Sequence, residues 1–259
     1  MMQISNSTLA GARQSAVPTD AVNDVMPWQE ASAAVQGFLL TRFARKPIRI
    51  YEAGGGSLSY LPVALLETAD VTVVDIDDAQ LQKNSYAKTK IRGDIQVKEF
   101  RPDSFDLVVC NYVIEHIDRP DQAITRFLSA LKPGGLLFIA APNPRSFTGF
   151  VTKYTPHWFH VLYYRLLLGS KNAGRSGNPP FRIVYHPLAS PPELIAFCKR
   201  QGARVVYFRQ FESVQLGNLR QRHPAMARIL NALLRGVEIV SRRNIRCGDF
   251  HIVLERPAG

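Results

Sequence analysis

At 259 residues the chain can bury a sizeable core, and that length favours one α/β domain carrying insertions over two complete domains. Its three cysteines, Cys110, Cys198 and Cys247, are odd in number and lack Cys-x-x-Cys spacing, which argues against a disulfide framework or a cysteine zinc site and favours a reducing cytoplasm. No basic-then-apolar leader and no apolar run near ~18 residues is seen, so neither a signal peptide nor an integral membrane span is expected.

The net charge of +11 is uneven: residues 1–121 hold 12 Lys/Arg against 16 Asp/Glu, whereas residues 122–259 hold 20 against 5. Between Asp121 and Glu193 no acidic residue occurs. Such asymmetry fits an anionic partner, whether an acidic substrate, a membrane surface or a nucleic acid, and equally a basic solvated face.

Taken in order, residues 1–26 show little periodicity and read as a poorly ordered tail, and residues 27–259 form the domain. Residues 27–44 carry apolar side chains at helical intervals between Pro27 and Pro47. A buried strand from Ile48 follows, then Gly54-Gly-Gly-Ser, where the backbone can turn in ways a Cβ forbids. Leu58, Leu61, Leu65 and Leu66 predict a helix over 58–68, which would set the glycine turn at a helix N-terminus, suited to a carboxylate or phosphate.

Residues 71–74 read as a second strand ending at Asp75, 19 residues past Gly56, close to the ~20-residue separation at which an acid meets ribose hydroxyls. Asp77 reads as a helix cap and Asp78 as its solvated neighbour. A helix over 79–87, the stretch 90–95, a buried strand over 105–110 ending at Asn111-Tyr112, a helix over 121–131, a turn at Lys132-Pro-Gly-Gly and a strand over 136–141 continue the alternation. Strand and helix in strict sequence mean a parallel sheet covered on both faces.

Residues 142–189 then break the pattern with a proline-rich, aromatic, acid-free stretch, read as an inserted cap. A helix over 191–201, a strand over 204–208 and a final strand over 250–254 resume it, with a basic helical insertion over 212–247. Within that insertion, 224–240 is amphipathic: Met226, Leu230, Leu233 and Val237 lie opposite Arg228, Arg235 and Arg242. Such a helix lies on an anionic membrane, accepts an acidic, carrier-linked substrate, or packs its apolar side on the sheet.

Six stretches occur in order: Glu52-Ala-Gly-Gly-Gly-Ser, Val74-Asp-Ile, Gly93-Asp-Ile, Ser104-Phe-Asp-Leu-Val-Val, Val113-Ile-Glu-His-Ile and Leu131-Lys-Pro-Gly-Gly. Together they resemble the class I S-adenosylmethionine-dependent methyltransferases of the small-molecule type related to ubiquinone-biosynthesis enzymes. The resemblance implies a doubly wound, mostly parallel seven-stranded sheet with helices on both faces, its last strand antiparallel. It also implies that S-adenosylmethionine is held by Glu52, Gly54 and Gly56 at its amino acid end, by Asp75 with Ile76 at the ribose, and by Asp94 and Ile95 at the adenine, with Asn111 beside them. Leu58 stands where the family has its third loop glycine.

Methyl transfer from a sulfonium is governed by alignment, and a base is needed when the nucleophile carries a tightly held proton. His116, after the strand carrying Asn111, and His157, in the aromatic cap, are the candidate bases, with His160 a further alternative. No metal is expected, since beyond Glu115 and His116 no further ligands are recognisable. The leading expectation is O-methylation of a small-molecule or lipid-linked, even anionic, acceptor by a cytoplasmic enzyme with peripheral membrane contact as one option. The rivals are a non-catalytic cofactor-binding protein with an interaction surface and, less favoured, a nucleic-acid methyltransferase.

Overall fold

A computed structural model describes residues 25–44, 46–166, 169–174, 183, 184 and 186–258. The expected tail lies outside these residues except for residues 25 and 26, and the expected cap is described only in part.

Seven strands, β1 (Arg49–Ala53), β2 (Asp70–Asp75), β3 (Thr89–Arg92), β4 (Phe105–Asn111), β5 (Leu131–Pro142), β6 (Arg204–Phe211) and β7 (Asp249–Glu255), form one sheet in the order β3-β2-β1-β4-β5-β7-β6. The first five pair in parallel, and β7 runs antiparallel to both β5 and β6. The expected doubly wound sheet with an antiparallel last strand is present.

Alternation along each strand divides the core into two layers. Tyr51, Val108, Ile139 and Ile252 face α4 (Pro120–Ala130) and α7 (Pro191–Arg200), whose Ile124, Phe127 and Leu194 are buried against them. Ile50, Leu107, Phe138 and Val253 face the other way, where α1 (Trp28–Phe43) supplies Val35, Leu39 and Phe43. Phe127 meets Tyr51 edge-on at 5.6 Å. Its truncation to Ala would cost about 3–5 kcal/mol.

Three expectations need correcting. The helix expected over 58–68 is only α2 (Val63–Leu66), and Leu58 is 84% exposed. Pro62 is the reason: its ring clashes with the carbonyl four residues back and biases Leu61 away from helical backbone, so the helix can start only after it. The glycine turn therefore has no helix N-terminus behind it. The turn at Lys132-Pro-Gly-Gly is the irregular start of β5, where register slips against β4 and Gly134, at φ +75°, donates its N–H to the Arg256 carbonyl at 2.7 Å. The helix expected over 79–87 stops at Lys83: α3 (Asp78–Lys83) is capped by Asp77, which accepts from the Gln80 N–H.

Around the carboxyl edge of the sheet stand α5 (Phe147–Tyr154), α6 (His157–Leu166), α8 (Val214–Arg222) and α9 (Pro224–Ser241). The amphipathic helix α9 packs on α8 rather than laying its apolar side on the sheet. It buries only Leu234 and Glu238, the latter ion-paired with buried Arg246 at 2.5 Å.

Candidate functional site

The glycine turn is fixed by its neighbours. Gly54, at φ +70°, donates its N–H to the Val74 carbonyl at 2.7 Å, which joins the turn to the end of β2. Asp75 accepts from the Gly56 N–H at 2.9 Å on one oxygen and from the Asp77 N–H at 2.8 Å on the other. Asn84 donates to the Gly56 carbonyl at 2.7 Å from the opposite side. Each Asp75 oxygen thereby keeps acceptor capacity while its orientation is set.

Under the turn, Glu52 is 2% exposed and takes hydrogen bonds from the hydroxyls of Ser59 and Tyr86. Burial raises its carboxyl above the ordinary range, and the two hydroxyl donors oppose that rise. A Cβ built on Gly55 would lie 3.0 Å from Glu52 Oε2, so a side chain there would require the carboxylate to give way.

Asp94 follows β3, with one oxygen accepting from the Gln96 N–H at 2.8 Å. Ile76 is 73% exposed, whereas Ile95 is buried in the core beside Tyr51 and Val74. Asn111 ends β4, and its Oδ1 is buried without a hydrogen-bond partner among the described residues. Glu52, Gly54, Gly56, Asp75, Asp94 and Asn111 thus gather at the carboxyl edge of β1 to β4, where open parallel sheets bind ligands.

Next, Tyr112 adopts φ +53°, uncommon for a bulky residue, held by its N–H to the Ala140 carbonyl at 2.8 Å and by its hydroxyl to Asp249 Oδ2 at 2.7 Å. Val113 then lies over the glycine turn: a Cβ on Gly54 would come within 2.5 Å of it. Two residues on, Glu115 enters the wall of a cavity of about 450 Å³.

Phe147, Phe159, Tyr163, Leu216, Leu219 and Leu230 make much of that wall, contributed by α5, α6, α8 and α9. The polar lining includes Glu115, Asp249, Thr148, Thr152 and Gln215. Both carboxyls are buried. Burial, with the charge of Asp249 adding to it, pushes Glu115 up to about 8. Burial lifts Asp249 to about 7 against the hydrogen bonds from Tyr112 and the Val214 N–H.

His157 and His160 line this cavity from α6, and His160 Nε2 is 3.0 Å from the Thr155 hydroxyl. His116 is not among its described lining residues; its Nε2 lies 3.8 Å from Glu115 Oε1. Sequence reasoning missed Asp249, Tyr86, Ser59 and Asn84. Asp249 had a signal, being one of only five acids after residue 121 and the first residue of the last strand. The other three carry none.

A methyltransferase-domain family model matches residues 28–176, more than half of the chain. The chain belongs to the methyltransferase-domain family. Among curated relatives, this methyltransferase chain is 31% identical over 107 residues to the ubiquinone biosynthesis O-methyltransferase of Dechloromonas aromatica, a match covering 36% of the chain and 44% of the relative. It is 28% identical over 145 residues to the ubiquinone/menaquinone biosynthesis C-methyltransferase of Roseobacter denitrificans, covering 48% and 56%. The matches thus span about half the length of these relatives. The crystal structure of magnesium protoporphyrin IX methyltransferase from Synechocystis with bound SAH covers 88% of this chain and 82% of its own, at 13% identity and a TM-score of 0.53, a likeness of fold.

Proposed function

We propose that this chain transfers a methyl group from S-adenosylmethionine to a hydroxyl on a small-molecule or lipid-linked acceptor held in the cavity. The observation that carries the reading is the continuity of residues 111–115, which link the glycine turn through Val113 to the cavity through Glu115. When bound, S-adenosylmethionine supplies an electrophilic methyl carbon. Asp75 has oriented acceptor capacity for ribose hydroxyls, Asp94 for an exocyclic amine, and the Glu52-backed turn admits the amino acid end, with Asn111 Oδ1 as a buried acceptor at the edge. The cap helices keep water from the reacting atoms, and His157, with His160 as the alternative, is the candidate base in the wall. Calorimetry with S-adenosylmethionine tests the binding half: Asp75→Ala should lose about tenfold to a hundredfold in affinity, the scale of a hydrogen bond to a charged group. Unchanged affinity would contradict the assignment. A binding protein without turnover is separated by whether label leaves the cofactor.

We also infer peripheral contact with an anionic membrane. Met226, Ile229, Leu233, Val237 and Val240 on α9 are all exposed, and so are Arg228, Arg235 and Arg242. No helix among the described residues is long and apolar enough to cross a membrane. An exposed apolar face beside guanidinium groups suits the headgroup boundary of an anionic bilayer.

A further inference from the structure

Both oxygens of Asp94 are held by Gln96. The Gln96 backbone N–H donates to Oδ1 at 2.8 Å, and its side-chain Nε2 reaches Oδ1 and Oδ2 at 3.1 Å each. The other end of the amide is engaged as well: Oε1 accepts from the Arg119 N–H at 2.7 Å, so the donor end must lie toward the carboxylate. Arg119 is the N-cap of α4, whose Ala123, Ile124 and Phe127 are buried in the core, and Ile95, between Asp94 and Gln96, is buried in the same core. The Arg119 guanidinium is taken up by Asp121 at 2.9 Å. Asp94 is therefore tied to packed elements on both sides. Among the described residues Oδ1 has two donors and Oδ2 one, and an ionised carboxylate oxygen accepts two in its plane, so the open place is on Oδ2.

We propose that Gln96 is the positioning residue for the adenine end of S-adenosylmethionine, setting Asp94 so that Oδ2 accepts one N–H of the exocyclic amine and a base without that amine is disfavoured. The inference rests on the cofactor reading above and adds to it a residue outside the Gly93-Asp-Ile stretch. A carboxylate free to turn about its last side-chain bond must be ordered when the base arrives, whereas one already fixed is aimed beforehand. A site built around such an acceptor discriminates strongly against a ligand that lacks the donor, because the acceptor gives up water and gains nothing in return. Gln96 thus acts through Asp94 and does not itself need to touch the cofactor.

Calorimetric titration of the full chain with S-adenosylhomocysteine and with its 6-deamino purine analogue isolates the amine. The ratio of the two affinities is the readout, since a merely structural change weakens both ligands alike. The wild type should prefer the amine by about tenfold or more. Gln96→Met keeps the length and the backbone bond but removes both amide contacts, and it should reduce that preference by about threefold or more. Gln96→Glu keeps an acceptor for the Arg119 N–H while losing the donor toward Asp94, and it should reduce the preference by the same factor. A wild type that does not distinguish the two ligands, or a preference that falls by less than this in either variant, would overturn the inference and leave the cofactor reading intact. Binding of neither ligand by the wild type would strike the cofactor reading, and the inference with it.

Discussion

The Tyr112 hydroxyl donates to Asp249 Oδ2 at 2.7 Å, tying the end of β4 to the start of β7 across β5. The bond joins a residue in left-handed backbone to a buried acid, so the turn toward the cavity and one of the carboxyls inside it share a contact. Tyr112→Phe should lower stability by about 1–3 kcal/mol at pH 8, where Asp249 is ionised, and by less at pH 5, where it is protonated. Denaturant unfolding at the two pH values checks this; an equal loss at both would mean the bond does not act on the carboxylate.

Buried ionisable groups also set a pH window. Glu115 and Asp249 hold their protons to about 8 and about 7, against ordinary values of 4.5 and 3.8, so the native state keeps protons that the unfolded chain releases. Their contribution is full below the ordinary values and is lost as pH rises through the raised ones. His251 has the opposite sign: burial lowers it from 6.5 to about 3, so its contribution is lost as pH falls through that range. The two effects oppose each other below pH 6.5, and above it only the carboxyls remain. Stability should therefore fall between pH 6.5 and 8, on the order of a few kcal/mol. Glu115→Gln should flatten that slope in urea titrations, and a slope rising over this range would contradict it.

Close approach at the glycine turn gives a packing test. Gly54→Ala puts a Cβ at φ +70° and within 2.5 Å of Val113, combining backbone strain with a clash. A loss of about 1–3 kcal/mol is expected. In a double-mutant cycle, Val113→Ala should recover the clash but not the strain. Full additivity of the two changes would show that Val113 does not cover the turn.

Most of the sheet was legible because its strands are short apolar runs bounded by turn residues, with Asp75 and the glycines at its carboxyl edge; β3 carries only Ile91 as an apolar residue and read as no more than the stretch 90–95. Alternation also forecast the two core layers. The helix over 58–68 failed because apolar spacing at Leu58, Leu61 and Leu65 outweighed Pro62 in the reading, although Pro62 decides where helical hydrogen bonding can begin. The cavity could not be read at all. Glu115 and Asp249 lie 134 residues apart in sequence and meet one space only because β7 returns antiparallel beside β5. The outward apolar face of α9 was equally hidden, since an amphipathic pattern is the same whether its apolar side packs or stands free.

That outward face makes a salt-dependent prediction. Each arginine near an anionic surface contributes about 1 kcal/mol, decaying within a Debye length. The chain should co-sediment with vesicles containing phosphatidylserine at low ionic strength, and much less with neutral phosphatidylcholine vesicles. Replacing Arg228, Arg235 and Arg242 together with Gln should weaken that binding. Wild-type protein remaining in the supernatant with both vesicle types would remove the membrane contact.

Methyl transfer itself is tested most directly by incubating the chain with methyl-labelled S-adenosylmethionine and a cell extract, alongside Asp75→Ala. The account predicts label in an organic-extractable compound with the wild type, and a strong reduction in the variant. Saturable cofactor binding by the wild type with no label leaving S-adenosylmethionine in any fraction would contradict it.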